Sequence, residues 1–257
     1  MAIAKISYSN LVDRVGTMIS SSGVSGVMPP QNLSDPRPLK RWRTTDMTAW
    51  GQCDFGTDVG IDVVCLLFAR DVAFPSGSIT HTFDASGGTA GAGAVHSSGS
   101  VSLGLSEGYG YHVYLPPSTI TARYWRWTYA ASAVSAIDAG RAWAGALWEP
   151  TRNVDLGHTD RWLDASRSVR AVRSGASFVE ELPRFREMSF SFGAISEVDR
   201  STHMEIQRIA GTSKQVLFLL DPDTPATQTI LGRIEQTSGL RSRAFQLHES
   251  SYLIREF

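Results

Sequence analysis

One stretch near the middle of the chain constrains the fold more than any other. Residues 123–129 read Arg-Tyr-Trp-Arg-Trp-Thr-Tyr, with aromatic and polar positions in alternation. Successive side chains of an extended strand point to opposite faces, so Trp125, Trp127 and Tyr129 would share one face, whereas a helix would scatter them. The pattern therefore predicts a half-buried strand, with at least half of these aromatics in a core. The opposite face would carry Tyr124, Arg126 and Thr128.

Composition favours a β-rich protein without a strong charge preference. The chain has 257 residues, enough for one large domain or two ordinary ones, and a formal charge of −1. Such a balance favours neither nucleic acid nor an anionic membrane surface. Glycine and serine separate many short apolar runs, as in all-β domains. We expect no nucleic-acid partner, no membrane insertion and, since the N-terminus lacks a signal-peptide core, synthesis in a cytoplasm.

The two cysteines, Cys53 and Cys65, indicate no scaffold of disulfides and cannot form a zinc site by themselves. Cys65 lies in the apolar run of residues 63–68, which favours a buried, inert thiol. A bridge between the two cysteines is the less favoured alternative.

The sequence changes near Pro150 from short apolar runs to a polar, arginine-rich segment. This change predicts two domains, 1–150 and 151–257. The first part reads as short strands separated by turns, including a buried strand within residues 60–69. The second reads as strands around one helix. We therefore predict a mainly β fold, with an N-terminal jelly-roll-type β-sandwich followed by a smaller β-sandwich or barrel domain with one packed α-helix.

The predicted helix of the second domain spans residues 196–210. Ser196 and Asp199 form a pair similar to a capping box at its start. Gly211 stands where a helix commonly ends. The apolar positions at helical spacing are Val198, Thr202, Ile206 and Ile209.

Four segments in order resemble the galactose-binding-like, or discoidin-type, sandwich family. Residues 32–38 with 41–44 resemble its early strand and loop, and residues 61–68 its central strand. Residues 122–127 resemble a late strand and residues 141–145 the closing strand. This resemblance covers about residues 6–148 and implies a sandwich that can carry a carbohydrate site.

The junction at residues 148–153, Trp-Glu-Pro-Thr-Arg-Asn, and the β-helix-β region after it are similar to tail proteins of long-tailed bacteriophages. The resemblance implies a structural component of the tail tip, present in the virion and assembled in the host cytoplasm. Its second domain would form a homo-oligomeric ring, a hexamer in that family. Implied partners are the tail tube, tape-measure, hub or fibre proteins and host surface carbohydrate. The expected packing residues of the ring domain are Phe190, Phe192, Ile206, Ile209 and Phe218.

Candidate carbohydrate contacts are Trp42, Arg43 and Trp50, which lie in loop-like sequence. Sugars are recognised by flat aromatic rings beside polar groups that bond hydroxyls. The alternative for Trp42 is a plug at one end of the sandwich, which is the more common fate of a large aromatic residue.

An arginine-rich segment after Pro150 is the candidate assembly interface. Interleaved acidic residues cancel most of its charge, which disfavours a nucleic-acid patch. Arginine is enriched at protein interfaces, and polar segments often become ordered only on assembly. The candidate residues are Arg152, Arg161, Trp162, Arg167, Arg170 and Arg173.

Signals for catalysis and metal binding are weak. Residues 104–108, Gly-Leu-Ser-Glu-Gly, match a nucleophile-elbow pattern around Ser106, but a strand pattern follows where the elbow needs a helix. Asp54, Asp58 and Asp62 have a calcium-loop composition without EF-hand spacing. We expect no catalytic residue, no bound metal and no cofactor. The leading hypothesis is the tail component, with a carbohydrate-binding module or adhesin as the alternative and a serine hydrolase third.

Overall fold

A computed structural model describes residues 2–14, 17–21, 27–170 and 177–256 of the chain. Its strands, numbered in chain order, are β1 (Lys5–Ser7), β2 (Thr17–Ser20), β3 (Trp42–Arg43), β4 (Trp50–Ile61), β5 (Val63–Phe68), β6 (Ser76–Asp84), β7 (His96–Ser102), β8 (Tyr111–Tyr114), β9 (Ile120–Ser132), β10 (Asp138–Gly145), β11 (Thr159–Leu163), β12 (Arg167–Arg170), β13 (Ser177–Glu180), β14 (Phe185–Ser196), β15 (Gln215–Leu219), β16 (Thr229–Thr237), β17 (Arg241–Ala244) and β18 (Leu247–Arg255). The helices are α1 (Glu197–Ile209) and the single turn α2 (Pro225–Gln228), with 3-10 turns at Leu11–Arg14 and Pro30–Ser34.

The mainly β fold with one long helix confirms the predicted fold class. The chain divides into two compact units, one of residues 1–149 with 215–229 and one of residues 150–214 with 230–257. Within the described ranges, no helix is both long and apolar enough to span a membrane.

Residues 215–229 correct the predicted domain limits, because they belong to the first unit. Strand β15 pairs antiparallel with β1, and Phe218 lies opposite Ile6. By this division Phe218, which was predicted as a packing residue of the second domain, belongs to the first unit. The cause is a strand pairing between distant parts of the chain, which local sequence patterns do not show.

The first unit is a sandwich of two antiparallel sheets. One has the strand order β3-β10-β5-β8 and the other β2-β4-β9-β6-β7. Ring contacts join the sheets: Trp42 of β3 meets Trp127 of β9 edge-on at 6.1 Å between centroids, and Phe68 of β5 meets Tyr129 at 6.0 Å. Burial of these large rings stabilises the core through the hydrophobic effect.

Strand β9 has the two faces that its sequence predicts. Trp125, Trp127 and Tyr129 are fully buried, and the residues between them lie on the outer face of the five-stranded sheet. Cys53 and Cys65 are both buried and free. Burial raises the pKa of each thiol, which keeps it protonated and unreactive.

A buried arginine connects three distant segments of the first unit. The Arg141 side chain is fully buried, donates from Nε to Gln215 Oε1 at 2.9 Å and donates to the Leu33 carbonyl at 3.2 Å. It also pairs with the partly exposed Asp13. A buried guanidinium is stable only with such partners, so Arg141 helps to hold β15 in the first unit.

The second unit contains strands in the order β16-β18-β14-β11. Strand β17 also pairs with β18. Helix α1 packs on this sheet, and its N-cap Ser196 accepts from the Asp199 N–H at 3.2 Å. The buried helix face carries Asp199, His203 and Ile206. Val198, which was predicted on the buried face, is 81% exposed, so the buried face of α1 differs from the predicted one. The reason is that His203 occupies a core position, where its Nδ1 bonds the Tyr252 hydroxyl at 2.9 Å.

Candidate functional site

The three candidate carbohydrate contacts do not form one surface. Trp42 is fully buried between the sheets, so its ring is not available to a ligand and the plug interpretation applies. Arg43 makes a bidentate ion pair with Asp138, at 2.7 and 2.6 Å. Trp50 lies at the start of β4 and points to the outer face of the five-stranded sheet, partly exposed.

The outer face around Trp50 combines aromatic and polar side chains. We call this surface the Trp50 face and define it by five residues on two paired strands. Cross-strand pairing places Gln52 opposite Arg126 and Asp54 opposite Tyr124, with Trp50 diagonal to Arg126. The five residues are Trp50, Gln52 and Asp54 of β4 with Tyr124 and Arg126 of β9.

Arg126 is held at the centre of the Trp50 face by two neutral neighbours. Its guanidinium carbon lies 4.2 Å from the centroid of the Trp50 ring. Its Nε–H donates to Gln52 Oε1 at 2.9 Å. A cation–π contact with an indole and a hydrogen bond from Nε together restrain the position of the guanidinium.

A glycine-rich loop after β6 also packs against Arg126. Asp84 accepts hydrogen bonds from the N–H groups of Gly91 and Ala94, both at 2.8 Å, and so fixes the loop. A Cβ added at Gly91 would lie 2.2 Å from the Arg126 guanidinium, and its φ is +88°. Only glycine fits this position, since both the space and the backbone conformation exclude a side chain.

The second arginine of this region is neutralised. Arg123 donates to both carboxylate oxygens of Asp54, at 2.7 and 2.9 Å, and its guanidinium carbon lies 4.9 Å from the Tyr124 ring centroid. The hydrogen bond from Arg123 lowers the pKa of Asp54. Arg123 and Asp54 are thus a closed ion pair at the border of the Trp50 face.

A chain of buried hydrogen bonds lies between the two sheets and was not predicted. Trp125 Nε1–H donates to His81 Nδ1 at 3.2 Å, and the His81 and His112 Nε2 atoms are 3.0 Å apart. His112 Nδ1 lies 2.8 Å from the Leu103 carbonyl. With both rings neutral, each histidine accepts a hydrogen bond at one ring nitrogen and donates one from the other. Burial lowers the pKa of both histidines, which agrees with this neutral state.

The candidate assembly residues lie in the second unit. Arg161 on β11 bonds Glu187, which is almost fully buried and also bonds Arg255. Trp162 is 41% exposed. Arg152 is exposed in a loop, Arg167 and Arg170 are exposed on β12, and Arg173 lies outside the described residues.

Strands β12 and β13 form a two-stranded hairpin whose described residues are all exposed. Val169 and Phe178 lie opposite each other on one face, 66% and 64% exposed. Val179, on the other face, is 67% exposed.

The residues of the weaker catalytic and metal patterns form hydrogen bonds within the fold. The Ser106 carbonyl accepts from the N–H groups of Tyr109 and Gly110, and a strand follows rather than the helix of a nucleophile elbow. Asp58 accepts from the Ser86 N–H, and Asp62 from Thr119. Among the residues the structure describes, no three His, Cys, Asp or Glu side chains are arranged to hold a metal ion.

Comparisons with known proteins give structural similarity alone. No protein-family model and no curated protein matches the chain. Solved structures that match include the CBM32 of AlyQ in complex with 4,5-unsaturated mannuronic acid, with 13% identity, a TM-score of 0.40, and coverage of 51% of this chain and 94% of that one. A chitosan-binding module from a Paenibacillus sp. IK-5 chitosanase/glucanase has 15% identity, a TM-score of 0.41, and coverage of 55% and 100%. A fucose-binding module of Streptococcus pneumoniae has 11% identity, a TM-score of 0.40, and coverage of 54% and 95%.

Proposed function

We propose that the first unit binds carbohydrate on the Trp50 face. The observation that carries this proposal is the partly exposed Trp50 ring beside the fixed, partly exposed guanidinium of Arg126. An apolar ring can pack on the C–H face of a sugar while neighbouring donors and acceptors bond its hydroxyls. The proposal replaces Trp42 and Arg43 by Arg126, which the buried Gln52 positions, and retains Trp50 from the sequence-based set.

Two features of the Trp50 face support a binding role. Its guanidinium is oriented before any ligand arrives, which reduces the entropy lost on binding. Its aromatic ring lies on a paired strand of a sheet rather than on a free loop, and rigid elements hold binding groups more accurately.

The test is affinity electrophoresis of the full chain through gels that contain neutral or acidic polysaccharides. We expect retardation in at least one of these gels, and Trp50→Ala should abolish it. Trp162→Ala, which removes a partly exposed indole from the second unit, is the matched control and should bind like the unchanged protein. Equal retardation of the Trp50→Ala variant and the control, or no retardation of the unchanged protein in any gel, would refute the proposal.

The second candidate is an assembly role in a phage tail, favoured by the exposed hairpin β12–β13. An isolated two-stranded hairpin is marginally stable in water, and exposed apolar residues on both of its faces fit a surface that another subunit covers. This role predicts a large homo-oligomer, such as a hexamer, by light scattering of the purified protein. It also predicts that Phe178→Ser lowers the measured mass. A monomer at all concentrations up to the solubility limit would rule it out.

A further inference from the structure

Within the described residues, Arg126 has no carboxylate partner, unlike four other arginines of the first unit. Arg41, Arg43, Arg123 and Arg141 each contact a carboxylate, which leaves them neutralised; these partners are Asp71, Asp138, Asp54 and Asp13. Within the part of the chain that the structure describes, Arg126 contacts only neutral groups, namely the Gln52 amide, the Trp50 ring and the Gly91 backbone.

The packing around Arg126 leaves donors for a ligand. Trp50 and Gly91 both pack against the guanidinium, which restricts the directions from which a ligand can reach it. Guanidinium N–H groups lie in its plane, and only Nε–H is used, by Gln52. The remaining in-plane donors match the spacing of the two oxygens of a carboxylate, and the side chain is partly exposed.

The nearest acidic groups do not occupy these donors. Asp84 lies on the same face of β6, but it is fully buried and accepts from the loop N–H groups of Gly91 and Ala94. Asp54 is bonded by Arg123. Arg126 is therefore a fixed, partly exposed cation without an acidic partner among the described residues, and an external anion can supply that partner.

We infer that the carbohydrate bound on the Trp50 face is acidic, and that the two oxygens of a sugar carboxylate bind the Arg126 guanidinium. This inference rests on the proposed function and specifies its ligand class as uronate-containing polysaccharide. Gln52 and Gly91 are positioning residues for Arg126, while Trp50 contacts the sugar ring.

The experiment compares binding of uronate polysaccharides (polygalacturonate, alginate and hyaluronate) with binding of their carboxyl-reduced forms, which keep the sugar chain and lack the charge. Affinities are measured by affinity electrophoresis of the full chain at several salt concentrations. We expect reduction of the carboxyl groups to weaken binding by about tenfold or more, and Arg126→Gln to weaken binding of the acidic forms by a similar factor. Arg126→Lys retains the charge without the planar fork. It should bind the acidic forms more weakly than the unchanged protein and more tightly than Arg126→Gln.

The control for net charge is Arg200→Gln, which removes one positive charge from an exposed position of α1. It should leave binding of both polymer types unchanged. Circular dichroism melting of each variant shows whether the fold is intact, and Arg126→Lys retains the test if Arg126→Gln is unstable.

The outcomes separate the inference from the proposed function. Equal binding of the acidic and reduced forms, or Arg126→Gln binding as well as the unchanged protein, would overturn the inference and leave carbohydrate binding in place. Failure of the chain to bind any acidic or neutral polysaccharide would overturn both.

Discussion

The two units of this chain both bury ion pairs but differ in the exposure of their apolar side chains. In the first unit, aromatic rings fill the space between two sheets. The polar groups buried there form neutral contacts, as of His81 with His112, and ion pairs, as of Arg141 with Asp13. In the second unit, buried ion pairs form between strands, as at Glu187, and apolar side chains of the hairpin β12–β13 are exposed. The first unit thus completes its core by itself, whereas the second leaves a surface suited to a partner.

The largest loss of unfolding free energy should come from substitutions in the core of the first unit. Trp125→Ala removes a fully buried ring and leaves His81 Nδ1 without its donor, so we expect a loss of about 4 kcal/mol in unfolding free energy. Urea denaturation followed by circular dichroism measures this loss. Trp162→Ala in the second unit should cost below about 1 kcal/mol, and similar losses for the two variants would contradict the contrast between the units.

The ion pairs of the second unit should be its main polar contribution to stability. Glu187 is 3% exposed and bonds both Arg161 and Arg255, so Glu187→Gln should lower the unfolding free energy by about 3 kcal/mol. Arg208→Gln, which breaks an exposed pair on α1, is the control and should cost below about 1 kcal/mol. A loss for Glu187→Gln no larger than the control's would show that this buried pair contributes little.

Both units should lose stability in mild acid. Burial lowers the pKa of His203 to about 4, and it lowers those of His81 and His112 in the first unit. These residues are neutral in the folded state, while the unfolded chain takes up protons below about pH 6.5, so stability is complete above that pH and is lost as the pH falls.

For His203 alone, the expected loss between pH 7 and pH 5 is about 2 kcal/mol. Urea denaturation at the two pH values measures it, and His203→Gln should reduce the pH dependence of the second unit only. An unfolding free energy that does not change between these pH values would contradict the neutral histidines.

The smallest effect on stability should come from the hairpin. Phe178 is 64% exposed, so Phe178→Ser should change the unfolding free energy of the isolated chain by less than about 0.5 kcal/mol. Phe190→Ala, a buried position of the same unit, should cost about 3 kcal/mol or more. Comparable losses at the two positions, measured at a concentration where the protein is monomeric, would show that the hairpin packs within its own chain.

Local patterns predicted much of the first unit, because aromatic residues at every second position of a strand indicate which face is buried. The same reasoning located α1, since Ser196 caps it as its sequence indicates. Strand β7 shows no such pattern, because His96–Ser102 is mostly serine and glycine, without an apolar alternation. Such a strand forms through pairing with β6, which is a property of its neighbour.

The candidate site was only partly predictable. Trp42 and Trp50 occur in similar loop-like sequence, and only the sheet pairing determines that one is buried and the other partly exposed. Arg126 belonged to the predicted outer face of β9, but its neutral surroundings depend on Gln52 and Gly91, which are distant in sequence. Contacts of this kind require the fold, because loop position and register decide them.

The most direct test of the central claim is hydroxyl-radical footprinting of the full chain with and without a saturating bound polysaccharide, read by mass spectrometry at individual tryptophans. Carbohydrate on the Trp50 face predicts a several-fold fall in Trp50 oxidation while Trp162 oxidation stays the same. Unchanged oxidation of Trp50 under saturation, with protection at other residues, would contradict the claim.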